Sequence, residues 1–97
     1  MRFPIMVTAL MLAGAPAFAQ APEGVLLAGA CQGCHGVSGE GGHGIPSIKQ
    51  THGREDFIKI MRAFRANEMP NTVMGRITRG YTDAEVTALA AHFARNQ

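Results

Sequence analysis

Cys31-Gln32-Gly33-Cys34-His35 is the stretch that decides how this chain is read. Two thiols three positions apart, followed at once by an imidazole, is the spacing of covalent c-type haem attachment. On one helical turn residues i and i+3 face the same side, so both sulfurs reach the two vinyl groups at one porphyrin edge. The next residue swings its ring under the iron as the proximal ligand. Gly33 keeps the turn between the thiols free of bulk, and Gly36 lets the chain turn away beneath the macrocycle. The same pair of thiols would also serve a dithiol redox centre or half of a zinc site. A redox centre calls for a βαβ surround, and zinc for a second pair of ligands. The chain offers neither, because Cys31 and Cys34 are its only cysteines.

Upstream of the motif, residues 1–19 read as an export signal. Arg2 and the amino terminus give a short positive start, the run from Phe3 to Leu12 is mostly apolar, and Ala17-Phe18-Ala19 fits the small-residue cleavage pattern. Cleavage is expected before Gln20. An uncleaved anchor fits less well, since Pro4, Gly14 and Pro16 interrupt the run and it falls short of the roughly 20 residues a bilayer span needs. Export to the periplasm would expose two thiols to oxidation, and thioether bonds to haem would remove both from that fate. What remains, residues 20–97, is one small domain with no membrane span expected. A chain of that size buries only about 60% of its unfolded surface and usually needs a staple. One haem would be that staple as well as the reactive group. The formal net charge of the whole chain is +2, and Arg2 leaves with the signal. With no basic stripe in what remains, nucleic acid is an unsuitable partner.

Downstream and upstream of the cysteines, periodicity marks three main helices. Pro22 and Glu23 suit a first turn, so a helix is expected over about 22–32, with Gly24 and Leu27 facing another helix. The span 36–50 has no helical period and holds five glycines, which reads as a loop bending tightly round a flat ring. Over 54–67, Phe57, Ile60, Met61 and Phe64 recur as an apolar stripe, with Glu55 and Asp56 early and Arg62 and Arg65 late. Met61 lies in that stripe and reads as core rather than ligand. Thr82-Asp83-Ala84-Glu85 is a capping box that opens a last helix, with Val86, Leu89, Ala90 and Phe93 on its buried face. This helix should cross the first near Gly24 and Leu27. Tyr81, just before the cap, suits a staple or a ring against the haem, and Asn96 and Gln97 should fray.

An iron held by His35 alone would bind small ligands, as in a haem sensor or peroxidase. An electron carrier fills the opposite place, usually with a thioether, which favours Fe(II) and raises the potential. Met69, followed by Pro70, and Met74 are the candidates between the second and last helices. His43, His52 and His92 read as surface groups, and nothing places His43 or His52 at the iron.

Gly24 to Gly36, Pro46-Ser47-Ile48, the Phe57 to Phe64 helix and the run Thr72 to Thr82, which holds Met74-Gly75-Arg76-Ile77, together resemble the haem subunit of flavocytochrome c sulfide dehydrogenase, within the class I c-type cytochromes. The resemblance covers nearly all of residues 20–97, and Met-Gly-Arg-Ile is its most specific part. It implies an all-α class I cytochrome c fold, with loops wrapped round one covalent haem c on Cys31 and Cys34. It makes Met74 the sixth iron ligand opposite His35. It assigns Pro46 the carbonyl that accepts from the histidine's Nδ1–H, with Ile45 and Ile48 packing on the haem. The implied work is periplasmic electron transfer, drawing electrons from an FAD-containing subunit that oxidises sulfide and passing them to a downstream acceptor. The chain would transfer electrons without catalysing alone. A single CxxCH makes it a monohaem form, where some members carry two haems. A freely diffusing shuttle serving other oxidoreductases is the alternative. Arg62 and Arg65 read as ordinary solvated surface, while Arg76 and Arg79 stand evenly between surface and a docking rim that would govern association rate.

Overall fold

The last helix shows most directly how this sequence makes its fold. In the computed structural model, which describes residues 22–95 and, ahead of them, residues 1–5, 9, 11, 13 and 14, five helices follow in order. They are α1 (Gly24–Leu27), α2 (Gly29–His35), α3 (Arg54–Arg65), α4 (Met74–Thr78) and α5 (Asp83–Phe93). The expected cleavage site around Ala19 and the two terminal residues lie outside the described residues. Both arms of the capping box form at α5: the Glu85 N–H donates to Thr82 Oγ1 at 3.2 Å, and the Thr82 N–H to Glu85 Oε1 at 2.9 Å. Val86, Leu89, Ala90 and Phe93, spaced i, i+3, i+4, i+7, are all buried behind it.

α3 supplies the opposing face. Phe57 and Met61 are buried, and the Phe57 ring stacks on Phe93 with centroids 6.2 Å apart. The expected stripe is displaced: Ile58 packs on the core, whereas Ile60 and Phe64 are half-buried on the other flank. The helix ends at Arg65 rather than 67 because Asn67 takes a left-handed φ of 57°, and the Glu68 N–H returns to the Ala63 carbonyl at 2.8 Å.

The expected helix over 22–32 is two pieces that run on to His35. At the junction the Cys31 N–H bonds the Ala28 carbonyl at 3.0 Å, a tightened i−3 contact, and Ala28 itself is fully buried. α1 crosses α5 where expected. A Cβ on Gly24 would land on the Ala88 carbonyl oxygen, with the His92 Cβ 3.1 Å away, so glycine permits the close crossing. Leu27 packs on the core beside it. His92 therefore sits at this crossing, and its ring meets Phe93 edge-on at 4.7 Å, although it remains exposed.

The glycine-rich loop is sewn down by backbone bonds. Gly39 O accepts from Ile48 N and Lys49 N, Gln50 N donates to Phe93 O at 2.7 Å, and Arg95 N donates to His52 O at 2.8 Å. No strand forms among the described residues, only two isolated bridges. The architecture is all-α. α4 was not expected as a helix, and it packs against α3.

Candidate functional site

The cysteine–histidine stretch lies on α2, so Cys31 and Cys34 are separated by one helical turn as the spacing requires. Both are free thiols, Cys31 half-buried and Cys34 exposed. Burial pushes the Cys31 thiol up, so it stays protonated at neutral pH. A Cβ built on Gly33 would meet nothing within 4 Å beyond its chain neighbours and its own helix backbone, so protein packing does not demand a small residue there. Gly36 ends α2 with a φ of 91°, as a residue that turns the chain sharply must.

His35 is 8% exposed, and its Nδ1 lies 2.7 Å from the Pro46 carbonyl oxygen. A carbonyl can only accept, so the proton is on Nδ1 and the Nε2 lone pair is free to bind a metal. The loop holds Pro46 for this contact. Gly41 N donates to His35 O at 2.6 Å, and a Cβ on Gly41 would stand 2.6 Å from Ile45 O and Ser47 N and 2.7 Å from the Pro46 carbonyl carbon. Gly41, with φ 71°, is thus the spacer between the histidine's turn and the proline's. Its place in the sequence, one glycine among five, gave no sign of this. Ile48 packs on the core, and Ile45 is half-buried.

Met74 opens α4, half-buried and packed on the core cluster, which Cys31 and Tyr81 also touch. Met69 is also half-buried but lies outside that cluster. Burial, with smaller contributions from Cys31 and Glu85, pushes the Tyr81 phenol up, which keeps it neutral. Met61 is core, as its place in the stripe required. His43 is exposed and His52 half-buried, both in loops. Asn71 and Thr78, on either side of Met74, escaped sequence reasoning: both bond to backbone atoms, which leave no pattern in a sequence. Among the described residues there is no group of three or more His, Cys, Asp or Glu placed to hold a metal ion.

The sequence model of the cytochrome c family matches residues 21–95. The chain belongs to the cytochrome c family. It is also similar to the cytochrome subunit of sulfide dehydrogenase from Chlorobaculum tepidum, 36% identical over 73 residues. That match covers 73% of this chain and 64% of the relative, so the cytochrome spans somewhat under two thirds of that protein's length. It is an electron-transfer cytochrome of class I, all-α, and haem c, bound covalently, is the cofactor of its family. The residues present suit that group. A buried imidazole with its Nδ1 already committed, a thioether on the core cluster and two unpaired thiols one turn apart are the donors haem c uses.

Proposed function

We propose that this cytochrome holds one haem c, attached through Cys31 and Cys34, with His35 and Met74 as axial ligands, and that it works as an exported electron carrier. When bound, the haem supplies the one-electron Fe(II)/Fe(III) couple. The chain's own residues orient it and set its potential. The Nδ1–H bond to Pro46 is the observation that carries the reading, because it commits the histidine tautomer and strengthens the opposite nitrogen as a donor. Met74 is favoured over Met69 because it packs on the core cluster and Met69 does not. The oxidised protein should then show the weak methionine-to-iron charge-transfer band at the red end of the visible spectrum. Met74→Ala should abolish it and Met69→Ala should keep it; the reverse result would transfer the ligand role to Met69.

The likeness to a cytochrome subunit of sulfide dehydrogenase supports a finer reading. In it the chain is exported to the periplasm after loss of residues 1–19 and accepts electrons from an FAD-containing flavoprotein subunit that oxidises sulfide. Among the described residues no helix is long and apolar enough to cross a membrane. Arg62 and Arg65 are engaged within the molecule, the Arg65 guanidinium 2.5 Å and the Arg62 Nε 3.6 Å from Asp83. Of these four arginines, Arg76 and Arg79, exposed around α4, are the two suited to meeting a partner. A pull-down of the tagged holoprotein from native periplasm, scanned for flavin absorbance beside the haem bands, tests this. Flavin at a fixed ratio to haem supports the subunit reading. A lone small haem protein without flavin would make it a diffusing shuttle.

A further inference from the structure

α4 begins at the proposed sixth ligand and is 5 residues long, too short to hold its own course without help at its ends. Two side chains give that help. The Asn71 amide spans the segment: its Nδ2 donates to the Met69 carbonyl at 2.8 Å, and its Oδ1 accepts from the Gly75 N–H at 2.8 Å. From the other side the Thr78 hydroxyl, 0% exposed, donates to the Met74 carbonyl at 2.7 Å, with the Gly75 carbonyl 3.3 Å away. A Cβ on Gly75 would stand 2.9 Å from Asn71 Oδ1 and 3.2 Å from the Phe64 carbonyl oxygen, so the bracketed turn is also seated against α3. The one peptide between Met74 and Gly75 is thus held at both ends, through its N–H and through its carbonyl. No metal ligand is needed to explain either bond, yet both converge on this peptide.

We propose that Asn71 and Thr78 are positioning residues for the axial methionine, fixing the Met74 backbone so that its thioether stays at the iron. The proposal rests on Met74 being the sixth ligand. A thioether is a weak donor, and its hold on iron depends on how little its backbone can move. A haem tethered through sulfur cannot leave when the methionine lets go. Loosening this segment therefore opens the sixth position instead of shedding the cofactor. An added ligand then competes with Met74, and its apparent affinity reports how much of the protein is open.

Imidazole titration of the oxidised holoprotein, followed in the visible spectrum, is the test. Thr78→Val removes the hydroxyl at nearly constant shape, and Asn71→Ala removes both amide bonds. Each should raise the apparent imidazole affinity about five- to tenfold, as expected for the loss of one or two hydrogen bonds. Thr78→Ser keeps the hydroxyl and should return the affinity to the parent value. A purely structural role would lower the unfolding midpoint and leave imidazole affinity alone, and that result in both variants overturns the proposal. Asn71 is exposed, so its variant carries the test should Thr78→Val not accumulate. In Met74→Ala the charge-transfer band should vanish, and adding Thr78→Val should then change nothing further. Persistence of the band in Met74→Ala would instead remove the ligand assignment, and the proposal with it.

Discussion

A single glycine sets the distance between His35 and its carbonyl partner. Gly41 has a φ of 71°, where a side chain is strained whatever the space. It also lies against the backbone of residues 45–47, with less than 3 Å available to a methyl group. Gly41→Ala must therefore push Pro46 away from the ring it accepts from. Left-handed strain alone should cost at least ~1–2 kcal/mol in denaturant unfolding of the holoprotein. The second effect separates this site from an ordinary turn. A longer Nδ1–H···O contact leaves the imidazole a poorer donor to ferric iron, so the reduction potential should rise. Lost stability with an unmoved potential would show that the loop adjusts without disturbing the histidine.

Among the elements, α5 and α1 were legible and α4 was not. Gly24 has a neighbour that cannot yield, a backbone carbonyl of α5, so Gly24→Ala should spread the crossing and cost about 1–3 kcal/mol, as overpacking does. Thermal unfolding of the holoprotein would measure it. The start of α5 makes a pH-dependent prediction. The hydrogen bond from Arg65 first, then the charges of Arg65 and Arg62, hold the Asp83 carboxyl below the usual range. A depressed carboxyl adds stability that is fully present above its unfolded value and is lost as pH falls through its folded value. Asp83→Asn should thus unfold slightly earlier than the parent at neutral pH, with the gap closing in acid. The carboxylate is exposed, which keeps the effect small. A gap that persists in acid would mean that the carboxylate's charge is not its cause. α5 could be read because its cap and its apolar face are both local patterns, complete within a dozen residues. α4 spans too few residues for any period to show, and Asn71 and Thr78 hold it through main-chain atoms. α2 was cut short at 32 because a run of cysteine, glycine and histidine has no apolar stripe to follow. Its chemistry was nevertheless plain, since the two sulfurs and the imidazole must be sequence neighbours. The Pro46 bond spans 11 residues, and only resemblance pointed to it.

For the molecule as a whole, the question is whether the polypeptide can fold before the porphyrin is attached. Among the described residues the buried apolar ones are Ala28, Phe57, Met61, Val86, Leu89, Ala90, Phe93 and Ala94, and three of these are alanine. They come almost wholly from α3 and α5, with Ala28 alone from the cysteine side. α2, α4 and the glycine-rich loop, which carry His35, Met74 and Pro46, contribute none of the others. Such a core is small for ordering the stretch 22–95 at roughly 1.5 kcal/mol per residue. Round that core α1 is held by its crossing with α5 and α4 by its contact with α3, while α2 and the loop depend on α1 and on a set of backbone bonds. Bridging from α2 to α4 through covalent sulfurs and two axial ligands would join the parts that the protein core leaves weakly connected. Cys31→Ser/Cys34→Ser, expressed without haem attachment, should therefore be largely unfolded by far-ultraviolet circular dichroism. Any residual helix should fall in α5, where the capping box acts locally. A cooperative thermal transition in that variant, at near-native helix content, would mean that α3 and α5 suffice and that the haem is cargo to a fold already formed.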